Sequence, residues 1–541
     1  MHPSIARASV LLLLATLAAA CIGPMPPPPQ VTVTSPQRGL VQSDSGRVMV
    51  TGKAQPGPSG SPVAKVTVNG VQANLAADGS FSAMVDVPAG AMLLKTVAMS
   101  EEGATATDAR AVHVGQLRPV GSNIERAVTA ALSADAFAKL AATAGPIIKG
   151  MDLMTMLAPM QPMASLGDEI VNAKVSITRL AIGDVKIGLV PVDGGLALSA
   201  QFSAISVGAT ARYGGILVPD GSTNVSVTAD SITIAGTITV TPAGTVGFAT
   251  KIAAPKVTTM GLKISASGTI GDVLDLLDDG LGSTLQDAMT KAAEGALQPM
   301  ISAALGALAG PQQIDVVGKK LNVQASPSAV QFSRAGAVVT LNLSAMIQGA
   351  ESSPGFIYTP NGMPALDPSK GVQLALSDDL LNEMLAEIHA LDLLNIHLQE
   401  DFGLFDAADI KLTMPPMISA NTGDGSIRLV LGDMVATFTD NGNTVIAAAV
   451  NASVDVEVQP GNSAKEIGLQ FGKIDVVVNA IDGDDSVEEL FGAASTGIAV
   501  QLDSLSKFFV NVPVPALAGL QLDNLTLRGD SGYAVIAGQI H

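Results

Sequence analysis

The chain has 541 residues, enough for three or four domains at roughly 150 residues each. With 29 Lys and Arg against 48 Asp and Glu the formal charge is −19, which excludes a chain-wide basic surface and argues against a nucleic-acid partner. Apolar residues make up 48% of the chain but aromatics only 3%, with no Trp and 3 Tyr, so the aromatic girdles of a transmembrane β-barrel cannot be built.

The N-terminus comes first in chain order. Residues 1–20 read as a signal peptide, with Arg7 ahead of an apolar run from Val10 to Ala19. Cys21 is the only cysteine and follows Leu17, Ala18, Ala19 and Ala20, a pattern that resembles a bacterial lipobox, although Ala18 stands where such boxes usually carry Leu. The resemblance implies an acylated Cys21 that anchors the exported chain to a membrane. Ile22 is not the Asp that resembles an inner-membrane retention signal, which favours the outer membrane, at its periplasmic face or the cell surface. Pro24 and Pro26 to Pro29 make residues 21–30 an extended linker. Past the signal peptide no segment offers the ~20 apolar residues of a membrane-spanning helix.

Short alternating runs at 31–34, 47–51, 65–68, 105–107 and 112–114, separated by turn residues, predict an antiparallel sandwich over 31–115. Asn69 with Gly70 and Asp78 with Gly79 are expected to supply positive-φ turns. The stretches 66–70, 77–81 and 87–90 resemble bacterial Ig-like modules. Without an aromatic cluster or metal-ligand set the segment reads as a spacer, and Asp108 and Arg110 as solvated strand residues.

The pattern then changes to a helical one, with Ile124, Val128, Ala131, Leu132, Phe137 and Leu140 near i, i+3/i+4, i+7 spacing. Pro146 is expected to break or kink this helix, and Met151, Met154, Met156, Met160 and Met163 follow. Strands dominate 173–266. A second helix is predicted over about 272–308, with Leu274, Leu277, Leu281 and Leu285 on its apolar side and Pro299 as a kink. Strands return over 313–347, then a helix from Asp378 to about Leu394 capped by Ser377, further strands and a C-terminal hairpin. The fold class is mainly β with long helices (α+β).

Four ordered stretches carry a more specific resemblance. Residues 260–267 running through 296–302 look like the strand and long helix that close the N-terminal barrel of the bactericidal/permeability-increasing protein (BPI) family, within the tubular lipid-binding superfamily. Residues 376–385 are similar to that family's C-barrel helix, with Asn382 at its recurrent asparagine. Residues 415–418 with 429–433, and 512–515 with 520–527 and Tyr533, support both. The resemblance implies two helix-wrapped barrels, over 120–312 and 313–541, joined by a central sheet. It also implies apolar tubes that take phospholipid or other acyl chains. The lining residues expected from it are Phe137, Ile147, Met151, Met154, Phe202, Val227, Ile232 and Ile234 in the first tube, and Leu381, Leu385, Ile388 and Phe402 in the second. The animal family's barrel disulfide cannot form with one cysteine, and a basic lipopolysaccharide-binding tip does not suit so acidic a chain.

Several catalytic look-alikes fail on context. Gly529, Asp530, Ser531 and Gly532 resemble a protease nucleophile segment, but no upstream histidine motif accompanies them and a hairpin turn is expected. Ser504 and Lys507 satisfy S-x-x-K without the partner motifs of that chemistry. His389 and His397 stand eight residues apart, too far for a compact helical metal site, with Glu387 and Glu400 nearby. Asp482, Asp484 and Asp485 lack the glycine and glutamate of a calcium loop, and Ser486 with Glu489 reads as a capping box. The expected function is thus non-enzymatic and without a cofactor: a membrane-anchored lipoprotein that binds lipid and can transfer it. The alternative is a structural or adhesive surface lipoprotein without a lipid ligand.

Overall fold

The computed structural model describes residues 27–58, 60–150, 152, 154–155, 161–162, 164–167, 169–170, 172–216, 219–244, 247–267, 310–316, 319–399, 405–460, 466–482, 496–500, 512–513 and 522–540. The signal peptide, Cys21, Met151, Phe402, the predicted helix over 272–308, Ser504 with Lys507, and Ser486 with Glu489 lie outside them, as does the side chain of Ile147. The described chain is mainly β.

Residues 30–114 form two facing sheets. One orders its strands Gln30–Ser35, Gly46–Gln55, Ser80–Val87 and Asn74–Leu75; the other Leu40–Gln42, Thr105–Val114, Gly90–Ser100, Val63–Val68 and Val71–Gln72. Alternation puts Phe81, Ala83, Val85 and Val87 inward against Val66, Val68, Leu94, Ala98 and Val112. Asn69 (φ 46) and Gly70 (φ 82) turn the hairpin between Val63–Val68 and Val71–Gln72 as expected. At the second turn only Gly79 takes positive φ (83), because Asp78 instead accepts the Ser80 N–H at 3.0 Å through its side chain.

A seven-stranded central sheet follows, ordered Gly310–Val316, Lys319–Ser333, Gly336–Ile347, Ile124–Ser133, Val372–Ser377, Tyr533–Ile540 and Leu522–Asp530. Here the predicted first helix is corrected. Ile124–Ser133 is a strand, and only Ala134–Gly150 is helical (α1). The alanines at 127, 130 and 131 fit either period, and pairing on both sides with Gly336–Ile347 and Val372–Ser377 decides for the strand. Ser133 caps α1 by accepting the Ala136 N–H at 3.2 Å, and the helix runs through Pro146 to Gly150 instead of ending there. The C-terminal strands form the expected hairpin, with Ser531 (φ 56) and Gly532 (φ 86) at its turn.

Two further sheets flank the central one. The long sheet contains Ala164–Gly167, Asn172–Val192, Gly195–Gly214, Gly221–Pro242 and Phe248–Met260, with Lys263–Ala266 beside Gly221–Pro242. The C-terminal sheet contains Ile396–Leu398, Ala407–Lys411, Arg428–Asp440, Asn443–Pro460, Glu466–Asp482 and Val512–Pro513, with Met417–Ser419 on Arg428–Asp440. Strand Gly336–Ile347 serves both sides. Its first inward residues, Ala337, Val339 and Leu341, join the core of the long sheet, and its last, Leu343, Ala345 and Ile347, join the core of the C-terminal sheet. Val128, on the neighbouring strand, packs against both. The two cores therefore lie end to end along one face.

The sandwich is seated on the C-terminal sheet by polar side chains, two buried and one half-buried. Asp433, at a bulge (φ 45), accepts the Gly39 N–H at 2.7 Å, the Ala111 N–H at 3.1 Å and the Arg38 guanidinium at 3.0 Å. Asn451 donates to the Ala109 carbonyl at 3.3 Å; Asn479 accepts the Ala109 N–H at 3.2 Å and donates to Thr107 O at 2.7 Å. Three adjacent strands thus each hold the backbone of Thr105–Val114. Gly432 permits the approach, since a Cβ there would collide with the Ala111 side chain. Asp108, expected to be solvated, is instead buried and Arg110 half-buried: Asp108 accepts from the Val33 N–H at 2.8 Å and from Arg110 at 3.0 Å. They share the inward parity of Val112 and Val114 and reach the facing strand Gln30–Ser35, whereas Ala109, Ala111 and His113 face the C-terminal sheet.

Asp433→Ala removes the acceptor of two backbone N–H groups and the partner of Arg38, and is expected to cost about 3 kcal/mol. Urea unfolding followed by circular dichroism checks this against Asp86→Ala, whose pair with Arg47 is 83% and 71% exposed and is worth about 0.5 kcal/mol or less.

Candidate functional site

Strands of about twenty residues give the long sheet one continuous apolar face. Along Gly195–Gly214 the inward residues are Leu196, Leu198, Ala200 and Phe202, then Ile205, Val207, Ala209 and Ala211. The parity changes at Ala204, which takes φ 52. On the strands to either side, Gly183 lies opposite Ala204, and Ala204 opposite Asp230. The inward set on Gly221–Pro242 switches at the same place, from Val225, Val227 and Ala229 to Ile232 and Ile234. One extra residue per strand at the same height bends the sheet without turning its apolar row outward. Gly183 is required there, because a Cβ would stand 2.8 Å from that of Ala204.

Helix α1 closes over this face and packs on Asn172–Val192. The close approach falls at Gly145, where a side chain would meet the Val185 carbonyl. Of the expected lining residues, Phe137, Phe202, Val227, Ile232 and Ile234 are all buried in this one cluster. Ile232 stands opposite Phe202, Val227 opposite Val207 and Ile234 opposite Ala200. Phe137 meets Phe332 with ring centroids 6.3 Å apart. Met154 is half-buried. The cluster's buried members are Leu, Ile, Val, Phe and Ala throughout. Such an interior solvates hydrocarbon. Ile238 and Ile252 belong to the same face and escaped the sequence reading, although their alternation with Thr237, Thr239 and Lys251 carried the signal.

The second group sits on Asp378–Ala390 (α2). Leu385 and Ile388 are fully buried in the core of the C-terminal sheet, and Leu381 packs against it half-buried. Ser377 caps α2 as expected, accepting the Asp379 N–H at 3.2 Å. Asn382 acts as a substitute strand partner: it accepts the Ile418 N–H at 2.7 Å and donates to the Ile418 carbonyl at 3.0 Å. His389 contacts the Leu412 carbonyl at 2.9 Å, and the exposed His397 contacts Asp409 at 2.8 Å.

Opposite the apolar side of α2 is a row of buried acids that the sequence reading took as caps or passed over. Asp379, Glu383 and Glu387 recur every fourth residue and accept backbone N–H groups, from Thr359 at 2.7 Å, Gly121 at 2.7 Å and Ile347 at 2.8 Å; Asp379 also accepts the Thr359 hydroxyl and the Asn361 amide, each at 3.1 Å. Asp378 accepts from Ala420 N–H at 3.0 Å and from the Asn361 amide at 2.8 Å. Burial raises Asp378 to about 6. Burial and the charge of Asp378 raise Asp379 to about 7. Burial, with Glu387 as neighbour, raises Glu383 to about 8, and burial raises Glu387 to about 8. Among the described residues none of the four pairs with a Lys or Arg, and no group of three His, Cys, Asp or Glu is arranged to hold a metal ion.

No protein-family model matches the chain, and no curated protein matches it. Among solved structures it is similar to lipopolysaccharide binding protein at 15% identity and a TM-score of 0.41, over 77% of this chain and 99% of that one. It is also similar to P47 of Clostridium botulinum E1, at 10% identity and a TM-score of 0.28, over 78% of this chain and 100% of that one.

Proposed function

We propose that the protein is an exported, membrane-anchored lipoprotein that holds lipid acyl chains in the apolar interior of its long sheet, with a second such interior beside α2. In this reading residues 31–115 are an Ig-like spacer, and 120–312 and 313–541 are two BPI-like barrels that share the central sheet. Acylated Cys21 and the proline linker attach them to the outer membrane. The observation that carries the reading is the uninterrupted apolar face of the long sheet, kept inward through the bend at Gly183, Ala204 and Asp230. Each methylene moved from water into such an interior contributes about 0.8 kcal/mol, so a fatty chain is held by length and not by a particular polar contact. No catalytic step is part of the proposal, and transfer of lipid between membranes is its natural extension.

A second reading has an observation in its favour. Ile232 and Ile234 are 0% and 1% exposed and packed among their neighbours, as in an interior filled by its own side chains. A structural or adhesive lipoprotein would look like this.

Native mass spectrometry of a soluble form beginning at Gln30 separates the two, because Cys21 acylation cannot then contribute mass. A reproducible acyl lipid in the native species and in its organic extract is the expected result. A chain that is empty and also takes no fluorescent lipid from vesicles favours the structural reading. Replacing Ile234 or Val227 by Trp displaces the space of about two methylenes, and lipid uptake is expected to fall about tenfold while far-ultraviolet circular dichroism is kept. In the full chain Cys21→Ser is expected to move the protein from the detergent phase to the aqueous phase on Triton X-114 partition.

A further inference from the structure

Three successive turns of α2 hold three different stretches of chain by the same device. Thr359 and Gly121 flank a two-stranded ribbon, Gln116–Arg118 paired with Phe356–Tyr358, and give their backbone N–H groups to Asp379 and Glu383, while Ile347, the last residue of the central strand Gly336–Ile347, gives its own to Glu387 at the ribbon's far side. The ribbon is closed by Arg118 over the Tyr358 ring at 3.3 Å from its centroid. Residues 116–122 also connect the sandwich to the central strand Ile124–Ser133, so the ribbon is one of the sandwich's attachments to the rest of the chain.

Asp379 accepts from the Thr359 N–H and hydroxyl and from the Asn361 amide, whereas Glu383 and Glu387 accept from backbone N–H groups alone. Glu383 Oε2 and Glu387 Oε1 are buried without a hydrogen-bond partner, and both residues are 0% exposed. The charged and titratable groups that face the row are Asp378 beside it, Glu351 near Glu387, and Tyr358 and Tyr533, with Arg126 acting on Tyr533 and Glu125 on the same strand as Arg126. The strands Gly336–Ile347, Met417–Ser419 and Val372–Ser377 that pack on α2 carry no ionisable side chain.

We propose that the ribbon and its loops form a proton-controlled strap, which docks on α2 while the row Asp379, Glu383, Glu387 is protonated and lifts when the row ionises. A carboxylic acid keeps a carbonyl oxygen to accept the backbone N–H, whereas two or three adjacent buried carboxylates without a cation repel one another and seek water. The direction follows from proton linkage. The docked acids titrate well above the 3.8 to 4.5 of solvated Asp and Glu, so docking is fully favoured below about pH 4 and weakens as pH rises through the range of about 7 to 8. Lifting loosens the link between the sandwich and the central sheet while the seat on Asp433, Asn451 and Asn479 stays in place.

Hydrogen exchange of the full chain, read by mass spectrometry as protection corrected for intrinsic exchange, tests the strap. Between pH 6 and pH 8 the peptides covering 116–122 and 347–361 are expected to lose at least tenfold in protection, while peptides covering 80–100 of the sandwich hold theirs. In Glu383→Gln with Glu387→Gln, where amide oxygens still accept the Gly121 and Ile347 N–H groups but cannot ionise, the strap's loss is expected to disappear. Flat protection in the parent chain, or an unchanged loss in the double variant, overturns the proposal. Should the double variant not fold, Asp379→Asn is measured in the same way, and an unchanged loss there is equally decisive against it.

Discussion

Everything in the described body depends on keeping one face of very long strands dry. Side chains alternate with a period of two, so a slip of one residue would expose a whole row of Leu, Ile, Val and Phe. Strands of 20 to 22 residues cannot stay flat over that length, and closing a core requires the sheet to bend. The aligned extra residues at Gly183, Ala204 and Asp230 meet both demands. They bend three strands at one height and switch the parity of each together, so the apolar residues on either side of the bend still share a core.

The same economy appears in the central sheet. Strand Gly336–Ile347 has one inward face, yet its two ends belong to different cores, with Leu341 in one and Leu343 in the other. Because Val128 touches both, a change in the packing of one core reaches the other through a single strand pair. A chain with so few aromatics gains its burial from many small contributions of about 1.5 to 3 kcal/mol per aliphatic side chain. Continuity of the apolar row therefore matters more than any single large residue.

Periodicity made the sheets legible, but Phe202, Val227, Ile232 and Ile234 were expected together from the resemblance alone, since Val227 and Ile232 differ in parity and share a face only through the extra residue at Asp230. It failed where two periods fit the same residues. The alanine-rich segment 124–133 satisfies a helical spacing and an alternating one, and only its two strand neighbours break the tie; the start of α1 was nevertheless written in Ser133 and Asp135 as a cap and a first-turn acid. Asp108 and Arg110 were misplaced for a different reason. They share the inward parity of Val112 and Val114, and alternation along one strand does not show that Val33 of the facing sheet and Arg38 stand there to satisfy them. The acid row of α2 was hidden in the same way, because acids four residues apart opposite an apolar face are the ordinary pattern of a solvated helix.

The molecule thus buries carboxyl groups in two ways with opposite consequences. Asp433 is surrounded by donors, with the Gly39 and Ala111 N–H groups, Arg38 and Asn451 all directed at its two oxygens, and this fixes one surface on another. Glu383 and Glu387 accept from backbone N–H groups alone and each keeps a bare second oxygen, so the proton itself is the missing partner. His113 marks the difference on the basic side: it is buried in the sandwich's seat with neither ring nitrogen bonded, and desolvation lowers it to about 4, so it remains neutral. Its linkage has the reverse sign, since burial of a neutral imidazole is least favourable in acid, below the 6.5 of the free ring. Acid conditions therefore load the seat while they secure the strap, and alkaline conditions do the converse. The two attachments of the sandwich thus carry proton linkages of opposite sign.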